Sequence, residues 1–256
     1  MSCRFFLNQN EFNWQEQKAN VSNPEQTHKI KNVLRLREND QLILLDGKGI
    51  LYNAQITSFY SRGVQCRLLS RRSVNTEPAL KITIAQSLLK GSKFDYALQK
   101  NTEIGIFEFI PVVCERTVVR PDPLEGNREL ENKQIRFQKI VQDASEQYER
   151  GIVPVVQDIT SLPDLCKLNL TSYDLKLICL ERSKTNGIRE VINSIQDKVH
   201  KVLVLIGPEG GFTENEIKLA LGAGFTSLSL GRRIYRSETI GTVIASILFF
   251  NFNELQ

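Results

Sequence analysis

Residues 205–217 read LIGPEGGFTENEI, and this stretch carries the strongest indication of the fold. The apolar run at 201–206 predicts a buried strand that ends at Gly207. Thr213 and Glu216 match the T-x-x-E capping box, so we expect a helix to begin directly after the loop. A buried strand, a glycine loop and a helix in succession are typical of a parallel α/β sheet, in which ligands bind beyond the carboxyl ends of the strands.

The loop GPEGG is itself a candidate ligand site. Gly210 and Gly211 let the backbone approach a ligand closely and adopt conformations barred to other residues. The loop lacks the G-x-x-x-x-G-K-[ST] phosphate pattern, and Glu209 would repel a phosphate. A ligand with a positive centre or with hydrogen-bond donors therefore fits it better. The alternative is a tight turn whose glycines serve packing alone.

Elsewhere in the chain, the predicted secondary-structure pattern changes near residues 73–78. Residues 74–256 alternate apolar strands with helical segments, which predicts a mostly parallel sheet with helices on both faces. Residues 1–73 hold short β-like runs separated by the turns DGKG and SRG, which predicts a small β-barrel or meander. One short helix is expected there over residues 24–36, with Ile30, Val33 and Leu34 on one face.

The composition is that of an ordinary globular protein, but its charge is uneven. Residues 1–75 hold 11 Lys and Arg against 6 Asp and Glu, whereas the remainder is nearly neutral. A basic first domain suggests a polyanionic partner, although a solvated basic face would give the same pattern. The 5 cysteines form no C-x-x-C pair and the chain has only 2 histidines, which disfavours a disulfide framework and a metal site. We also find no secretory signal and no apolar run of membrane-spanning length, and we expect a cytoplasmic protein.

A second constellation, LGRRIYRSETIGTVIASI at 230–247, again joins a predicted strand to a helix. Gly231 allows a tight turn, and the arginines that follow could bind RNA phosphate or a developing anion. The alternative is a solvated basic loop with Ser237 as the helix N-cap. A third piece, CLE, ends another predicted strand at Leu180 and Glu181.

Together, four stretches resemble the RsmE-type 16S rRNA (uracil-N3)-methyltransferases of the SPOUT superfamily. They are IGPEGGFTENEI at 206–217, LGRRIYRSET at 230–239, KFDYALQKNTEIG at 93–105 and HKIKNVLRLREND at 28–40. The resemblance implies a PUA-like RNA-binding barrel over 1–73 and a SPOUT methyltransferase domain over 74–256 with a C-terminal trefoil knot. It further implies S-adenosylmethionine as cofactor, 16S rRNA in the assembled small ribosomal subunit as substrate, and a homodimer in which a helix with Lys100 and Glu103 reaches the other subunit's site.

The resemblance also assigns roles to residues by motif. The catalytic candidates are Arg236, as a stabiliser of the uracil anion, and Glu238, as a base or as the residue that orients Arg236. The cofactor candidates lie on three loops: Leu180, Gly207, Pro208, Glu209, Gly210, Gly211, Leu230, Gly231, Ile234 and Thr239. The RNA-binding candidates are Arg4, His28, Lys29, Lys31, Arg35, Arg37, Lys100 and Arg116. No metal is expected.

Several positions depart from the family pattern. Asn101 replaces a usual alanine, Ile240 and Gly241 stand where small alanines are common, Ile104 and Tyr235 replace leucines, and Phe94 replaces methionine. These departures leave open another SPOUT target, either a ribose 2′-hydroxyl or guanine N1. The sequence is also compatible with a non-catalytic RNA-binding assembly factor and with a nucleotide-dependent enzyme. The intact cofactor loops argue against the assembly factor, and Glu209 argues against the nucleotide-dependent enzyme.

Overall fold

A computed structural model describes residues 3–120, 126–180, 187–194 and 199–255 of the 256-residue chain. The contacts divide the chain into two compact units. The first comprises Met1–Glu77 together with Gln142–Val153, and the second comprises Pro78–Val141 and Pro154–Gln256. Thus the first unit includes a segment that is remote in sequence, whereas the sequence predicted one continuous domain over 1–73.

The first unit is built on a mixed six-stranded sheet in the order β1-β4-β5-β6-β3-β2. The β1–β4 pair is parallel and the other neighbours are antiparallel. Its core holds buried side chains that include Phe5, Leu44 and Ile56. This arrangement agrees with the predicted small PUA-like β domain. The strands are β1 (Arg4–Phe6), β2 (Phe12–Asn13), β3 (Lys18–Val21), β4 (Gln41–Leu45), β5 (Ile50–Tyr60) and β6 (Gly63–Ser73).

The helix predicted over residues 24–36 is shorter and less regular than expected. Helix α1 (Pro24–His28) begins with an Asn23 cap and continues as a π-helical turn, Lys29–Val33. Of the residues expected on one face, Ile30 is buried, whereas the side chains of Val33 and Leu34 are 63% and 37% exposed. A π turn has more residues per turn than an α-helix, so it rotates the positions after Ile30 away from the core.

The second unit contains a seven-stranded sheet in the order β10-β8-β7-β12-β11-β13, with β9 paired to β8. Every pairing among its described strands is parallel. The strands are β7 (Lys81–Ser87), β8 (Glu108–Val113), β9 (Val155–Val156), β10 (Thr160–Ser161), β11 (Leu175–Cys179), β12 (Lys201–Ile206) and β13 (Thr226–Leu228). The helices are α2 (Lys93–Ile104), α3 (Gly126–Gln147), α4 (Leu162–Lys167), α5 (Ile188–Asn193), α6 (Glu214–Gly222) and α7 (Ser237–Asn251).

Helices cover both faces of this sheet, as predicted. Ala85 of β7 and Leu203 of β12 share one buried cluster with Leu162 of α4 and Ala220 of α6. Successive side chains of a strand point to opposite faces. Ile84 accordingly faces the other way, where its Cδ1 lies close to Gly241 of α7. The trefoil knot stays a prediction, because residues 181–186, including Glu181, lie outside the described residues.

Two departures from the family pattern, Asn101 and Gly241, lie against each other. Asn101 of α2 is buried, and its Oδ1 accepts a hydrogen bond from Thr242 Oγ1 at 3.1 Å. A Cβ added at Gly241 would lie 2.9 Å from both terminal atoms of the Asn101 amide and 3.0 Å from Ile84 Cδ1. The Asn101 side chain of α2 therefore occupies the space that a Cβ at position 241 of α7 would need.

We expect Gly241→Ala to lower the free energy of unfolding, by about 1–3 kcal/mol, through overpacking against Asn101. The helical preference for alanine over glycine, about 0.5–1 kcal/mol, opposes this effect only in part. Adding Asn101→Ala should restore most of the loss, because it removes the atoms that the new methyl group meets. Urea denaturation of the single and double variants measures both changes. A stabilised single variant would contradict the expectation.

Candidate active site

Three loops of the second unit meet at one edge of its sheet. Leu180 follows β11, the loop from Gly207 follows β12, and Leu230 lies just after β13. These three strands are neighbours and run parallel. Because the carboxyl ends of parallel strands lie at the same edge, the three predicted cofactor segments come together although 50 residues of chain separate the first from the last.

The conformation of the GPEGG loop accounts for its glycines. Gly211 has a φ of +69°, in the left-handed region that favours glycine. A Cβ added at Gly207 would lie 2.9 Å from the ring of Phe212. The predicted capping box is confirmed: Glu216 N donates to Thr213 Oγ1 at 3.4 Å, and Thr213 N donates to Glu216 Oε2 at 2.9 Å. The capping box thus fixes the end of the loop that leads into α6.

A cavity of about 640 Å³ opens at this edge. That volume lies within the usual range for a small-molecule or cofactor site. Ten of the predicted site residues line it: Leu180, Gly207, Pro208, Glu209, Gly210, Gly211, Ile234, Arg236, Glu238 and Arg116. The apolar part of the described wall includes Ile206, Phe212 and Ile217, which the sequence did not single out, together with Ile240.

Three predicted cofactor residues are not in the described wall of the cavity. They are Leu230, Gly231 and Thr239. Gly231 has a φ of +94°, so it makes the tight turn that the sequence predicted. Thr239 Oγ1 donates to the carbonyl oxygen of Arg236 at 2.9 Å, which fixes the first turn of α7. The role of these three residues in cofactor binding stays a prediction.

Glu209 already has cationic and amide partners within the protein. Its Oε1 accepts hydrogen bonds from the Lys90 N–H and from Lys93 Nζ, both at 3.3 Å. Burial alone would raise the pKa of this carboxyl group, but the Glu209 and Lys90 N–H groups and Lys93 outweigh burial and lower it. Glu209 is therefore ionised at neutral pH, and Lys93 offsets part of its charge at the rim of the cavity.

Ser237 is not the N-cap of α7, which was the role that the basic-loop alternative gave it. The helix begins at Ser237 itself, and Arg236 is the N-cap. The Ser237 hydroxyl group instead donates to the Gly207 carbonyl oxygen and accepts a hydrogen bond from Gln86 Nε2 at 3.0 Å. These contacts join α7 to the GPEGG loop and to the end of β7.

Sequence reasoning missed Gln86 and Lys93, which complete the site. Gln86 is the register partner of Ile206 on the adjoining strand, and it is almost fully buried with an Oε1 that has no hydrogen-bond partner among the described residues. A polar residue near the end of an otherwise apolar strand was the available signal. Lys93 lies in the KFDY motif, but its contact with Glu209 spans 116 positions and no local pattern indicates it.

Glu238 and Arg236 both line the cavity. The Glu238 side chain is only 9% exposed, and its Oε2 has no hydrogen-bond partner among the described residues. Arg236 Nη1 lies 3.9 Å from Glu238 Oε1, and the arginine side chain is 82% exposed. A buried carboxylate oxygen without a donor is costly, so the site is suited to a ligand that brings a donor or a proton.

Cys179 also lines the cavity, but burial raises the pKa of its thiol far above the ordinary value. The thiolate is the nucleophilic form of cysteine, so this side chain is not equipped to attack a substrate. We expect Cys179→Ala to keep kcat within about threefold of the wild-type value, since only packing is lost. A steady-state assay of methyl transfer, the activity that the sequence resemblance implies, tests this, and a loss of about 10³-fold or more would instead assign a nucleophile to the site.

The RNA-binding candidates of the first unit fall into two groups. Arg4 is paired with Glu149 at 2.7 Å with its side chain only 10% exposed, and Lys29 is paired with Glu146 at 3.2 Å. Burial raises the pKa of Glu146 despite its hydrogen bonds from the Phe6 N–H and Lys29. The second group comprises His28, Lys31, Arg35 and Arg37, which are all exposed.

The two remaining RNA-binding candidates belong to the second unit. Lys100 is paired with Glu103 on α2 at 2.7 Å. Arg116 lies in the cavity wall and donates to the Gly210 carbonyl oxygen at 2.9 Å. Arg116 therefore supports the GPEGG loop directly, and its part in RNA binding stays a prediction.

Two further features concern the described residues only. None of their helices combines the length and apolarity needed to cross a membrane. Within the same ranges, no group of three or more His, Cys, Asp or Glu side chains is placed to hold a metal ion.

Comparisons with known proteins agree with this architecture. A family model described as an RNA methyltransferase domain matches residues 76–249, and one described as an RNA methyltransferase PUA domain matches residues 23–69. The ribosomal RNA small subunit methyltransferase E of Bacillus subtilis is 33% identical over 84% of this chain and 83% of its own length. The protein of the same name from Synechocystis is 34% identical over 85% of this chain and 68% of its own length.

Solved structures give the same result. A methyltransferase from Legionella pneumophila, determined in complex with S-adenosylmethionine, has a TM-score of 0.86 at 29% identity over 98% of each chain. A ribosomal RNA small subunit methyltransferase E from Neisseria gonorrhoeae bound to S-adenosylmethionine has a TM-score of 0.83 at 29% identity, again over 98% of each chain. The chain therefore belongs to the ribosomal RNA small subunit methyltransferase E family of RNA methyltransferases.

Proposed function

We propose that this enzyme transfers a methyl group from S-adenosylmethionine to N3 of one uridine in 16S rRNA. The observation that carries the proposal is the cavity at the β11–β12–β13 edge, into whose wall Glu238 brings a carboxylate oxygen without a partner among the described residues. Membership of the family and the names of the relatives support small-subunit rRNA as the substrate. The choice of uracil N3 rests on the sequence resemblance.

The residues around the cavity fit S-adenosylmethionine. When bound, the cofactor supplies an electrophilic methyl group on a positively charged sulfur. Leu180, Ile206 and Ile234 offer apolar surface, which favours the loss of charge from sulfur as the methyl group leaves. The loop at Gly207, Gly210 and Gly211 offers backbone groups without side-chain obstruction. Glu209 is paired with Lys93, so a positive centre in the cavity would meet a carboxylate that is already partly offset.

Uracil N3 carries a proton and is a poor nucleophile until that proton leaves. The N3–H bond must break, the N3–methyl bond must form and the sulfur–methyl bond must break, so the products are a methylated base, the neutral thioether and a proton. Glu238 is the group in the described wall that can accept this proton, because its Oε2 has no donor among the described residues. Uracil N3 loses its proton to Glu238, and the negative charge that remains on the ring spreads onto O2 and O4.

In the proposed mechanism, Arg236 stabilises that anion. Its guanidinium group is permanently charged and offers paired donors that match two acceptors on a planar ring. Because the side chain is 82% exposed at the rim of the cavity, it can reach a base that enters from RNA. Its distance of 3.9 Å from Glu238 leaves donors available for the substrate and keeps the two residues within electrostatic reach.

The remaining features of the proposal concern assembly. The enzyme acts in the cytoplasm on the assembled small subunit, and it works as a homodimer in which the helix containing Lys100 reaches the other subunit's site. The basic surface of the first unit, with Lys31, Arg35 and Arg37 exposed, supports docking to an RNA surface. Sedimentation analysis of the purified protein tests the dimer, and a monomer at micromolar concentration would contradict it.

The first test is calorimetric titration with S-adenosylmethionine and, in parallel, with ATP. We expect binding of S-adenosylmethionine alone, whereas binding of ATP alone would contradict a methyl-donor site. The second test transfers labelled methyl groups to small subunits and to free 16S rRNA that lack the modification, followed by digestion to nucleosides. Label in 3-methyluridine supports the proposal. Label in a 2′-O-methyl nucleoside or in 1-methylguanosine would assign another target.

A further inference from the structure

A second cavity, of about 510 Å³, lies in the first unit between α1 and the tip of the β5–β6 hairpin. Tyr60 and Gly63 are paired across this hairpin, and the turn between them holds Ser61 and Arg62. The cavity is separate from the methyl-transfer site, which is built entirely from the second unit. Its described wall is formed by Ser22, Pro24, Thr27, His28, Lys31, Asn32, Phe59, Tyr60, Ser61, Arg62 and Gly63.

The aromatic ring of Tyr60 is held in place by the backbone of the hairpin. A Cβ added at Gly63 would lie 2.6 Å from Cζ of Tyr60, so the ring rests directly on the glycine. Gly63 is buried, whereas Tyr60 is 43% exposed and lines the cavity. A rigid, exposed ring in a cavity is the platform on which an unpaired base stacks.

The charged side chains that line the cavity around Tyr60 are Lys31 and Arg62, which are both cationic. The described wall holds no carboxylate. Neither Lys31 nor Arg62 forms an ion pair within the described residues, unlike the neighbouring Lys29, whose ammonium group is tied to Glu146. Two such cations beside an aromatic ring match a base flanked by phosphates, and they disfavour an apolar or basic peptide.

The geometry points to a binding site for one unpaired nucleotide of single-stranded RNA, with its base on Tyr60 and its flanking phosphates on Lys31 and Arg62. This inference rests on the proposed function, because the RNA that supplies the nucleotide is the rRNA substrate. It adds a recognition site in the first unit for a nucleotide distinct from the one that enters the methyl-transfer cavity. An RNA duplex does not satisfy the site, since its bases are stacked on each other.

The test measures fluorescence anisotropy of a short, labelled, mixed-sequence RNA, single-stranded or annealed to its complement, with the full chain. We expect Tyr60→Ala and Tyr60→Leu to weaken single-strand binding by about 5- to 150-fold, the range found when a stacking platform is lost. Tyr60→Phe should bind as the wild type does. Leu69→Ala is the matched control, because Leu69 is 42% exposed on β6 and lies outside the described wall of the cavity.

Lys31→Ala should reduce the dependence of log Kd on log salt by about 0.7, the value for one phosphate contact on a single strand. Unchanged binding in Tyr60→Leu, equal weakening in Leu69→Ala, or equal loss of duplex binding would each overturn the inference. The inference would also be overturned if free uridine monophosphate displaced the labelled RNA at the same concentration at which unlabelled RNA displaces it. Methyl transfer by the wild type is measured separately, so its absence counts against the proposed function and leaves the Tyr60 result standing.

Discussion

Replacing Arg236 with alanine is expected to lower kcat for methyl transfer about 10²- to 10³-fold, the usual cost of removing one donor that stabilises a transition-state anion. The Kd for S-adenosylmethionine should stay within about twofold, since the exposed guanidinium group acts on the charge that develops on the base. Calorimetry and a steady-state assay on small subunits measure the two quantities. Arg233→Ala is the matched control, because Arg233 is exposed on the same loop but outside the described wall of the cavity.

Glu238→Gln separates the two roles open to Glu238. If this carboxylate accepts the N3 proton, kcat falls in the variant. The residual rate then rises with pH, because uracil N3 loses its proton to solvent without a general base. If Glu238 serves only to orient Arg236, the variant loses rate equally at every pH. Unchanged kcat in both Arg236→Ala and Glu238→Gln would remove the pair from the chemistry.

Replacing Gly210 with tryptophan is expected to abolish measurable binding of S-adenosylmethionine. Gly210 lines the cavity, and a Cβ added there already lies 3.2 Å from Cβ of Arg116. An indole at this position has no room on the Arg116 side, so it must project into the cavity or displace the loop. Calorimetric titration measures the loss, and circular dichroism checks that the variant is folded.

Gly222→Trp provides the control of equal size. Gly222 ends α6, and an added Cβ there meets no atom within 4 Å. We expect this variant to bind S-adenosylmethionine as the wild type does. Wild-type affinity in Gly210→Trp would place the cofactor elsewhere and would leave the β11–β12–β13 cavity without its proposed ligand.

Local patterns were enough to predict the elements around the site. The apolar run before Gly207 and the Thr213–Glu216 box located the end of β12 and the start of α6 within one residue. Gly105 caps the end of α2 with a φ of +108°, the left-handed conformation in which glycine commonly ends helices. Strands β9 and β10 were missed because each has only two residues, too few for a periodic pattern.

Long-range contacts could not be predicted in this way. No periodicity indicates that residues 142–153 join the first unit, where the Phe6 N–H donates to Glu146 at 3.2 Å across 140 positions. Likewise, Arg4 reads as a free cation in sequence but lies in an ion pair with Glu149. The sequence gives the number of charged side chains in a segment, but their ion-pair partners are known only from the folded structure.

Local sequence was sufficient for the parallel α/β class, the basic first domain and, through the GPEGG and LGRRI motifs, the family and the candidate residues of the site. It sufficed because caps, turns and glycine loops are encoded by neighbouring residues. Folding was needed to bring those residues into one cavity, to bury Glu238 with an oxygen that has no partner among the described residues, and to place Asn101 in the space above Gly241. These properties depend on packing between segments far apart in the chain, and burial and free hydrogen-bonding capacity exist only once that packing is made.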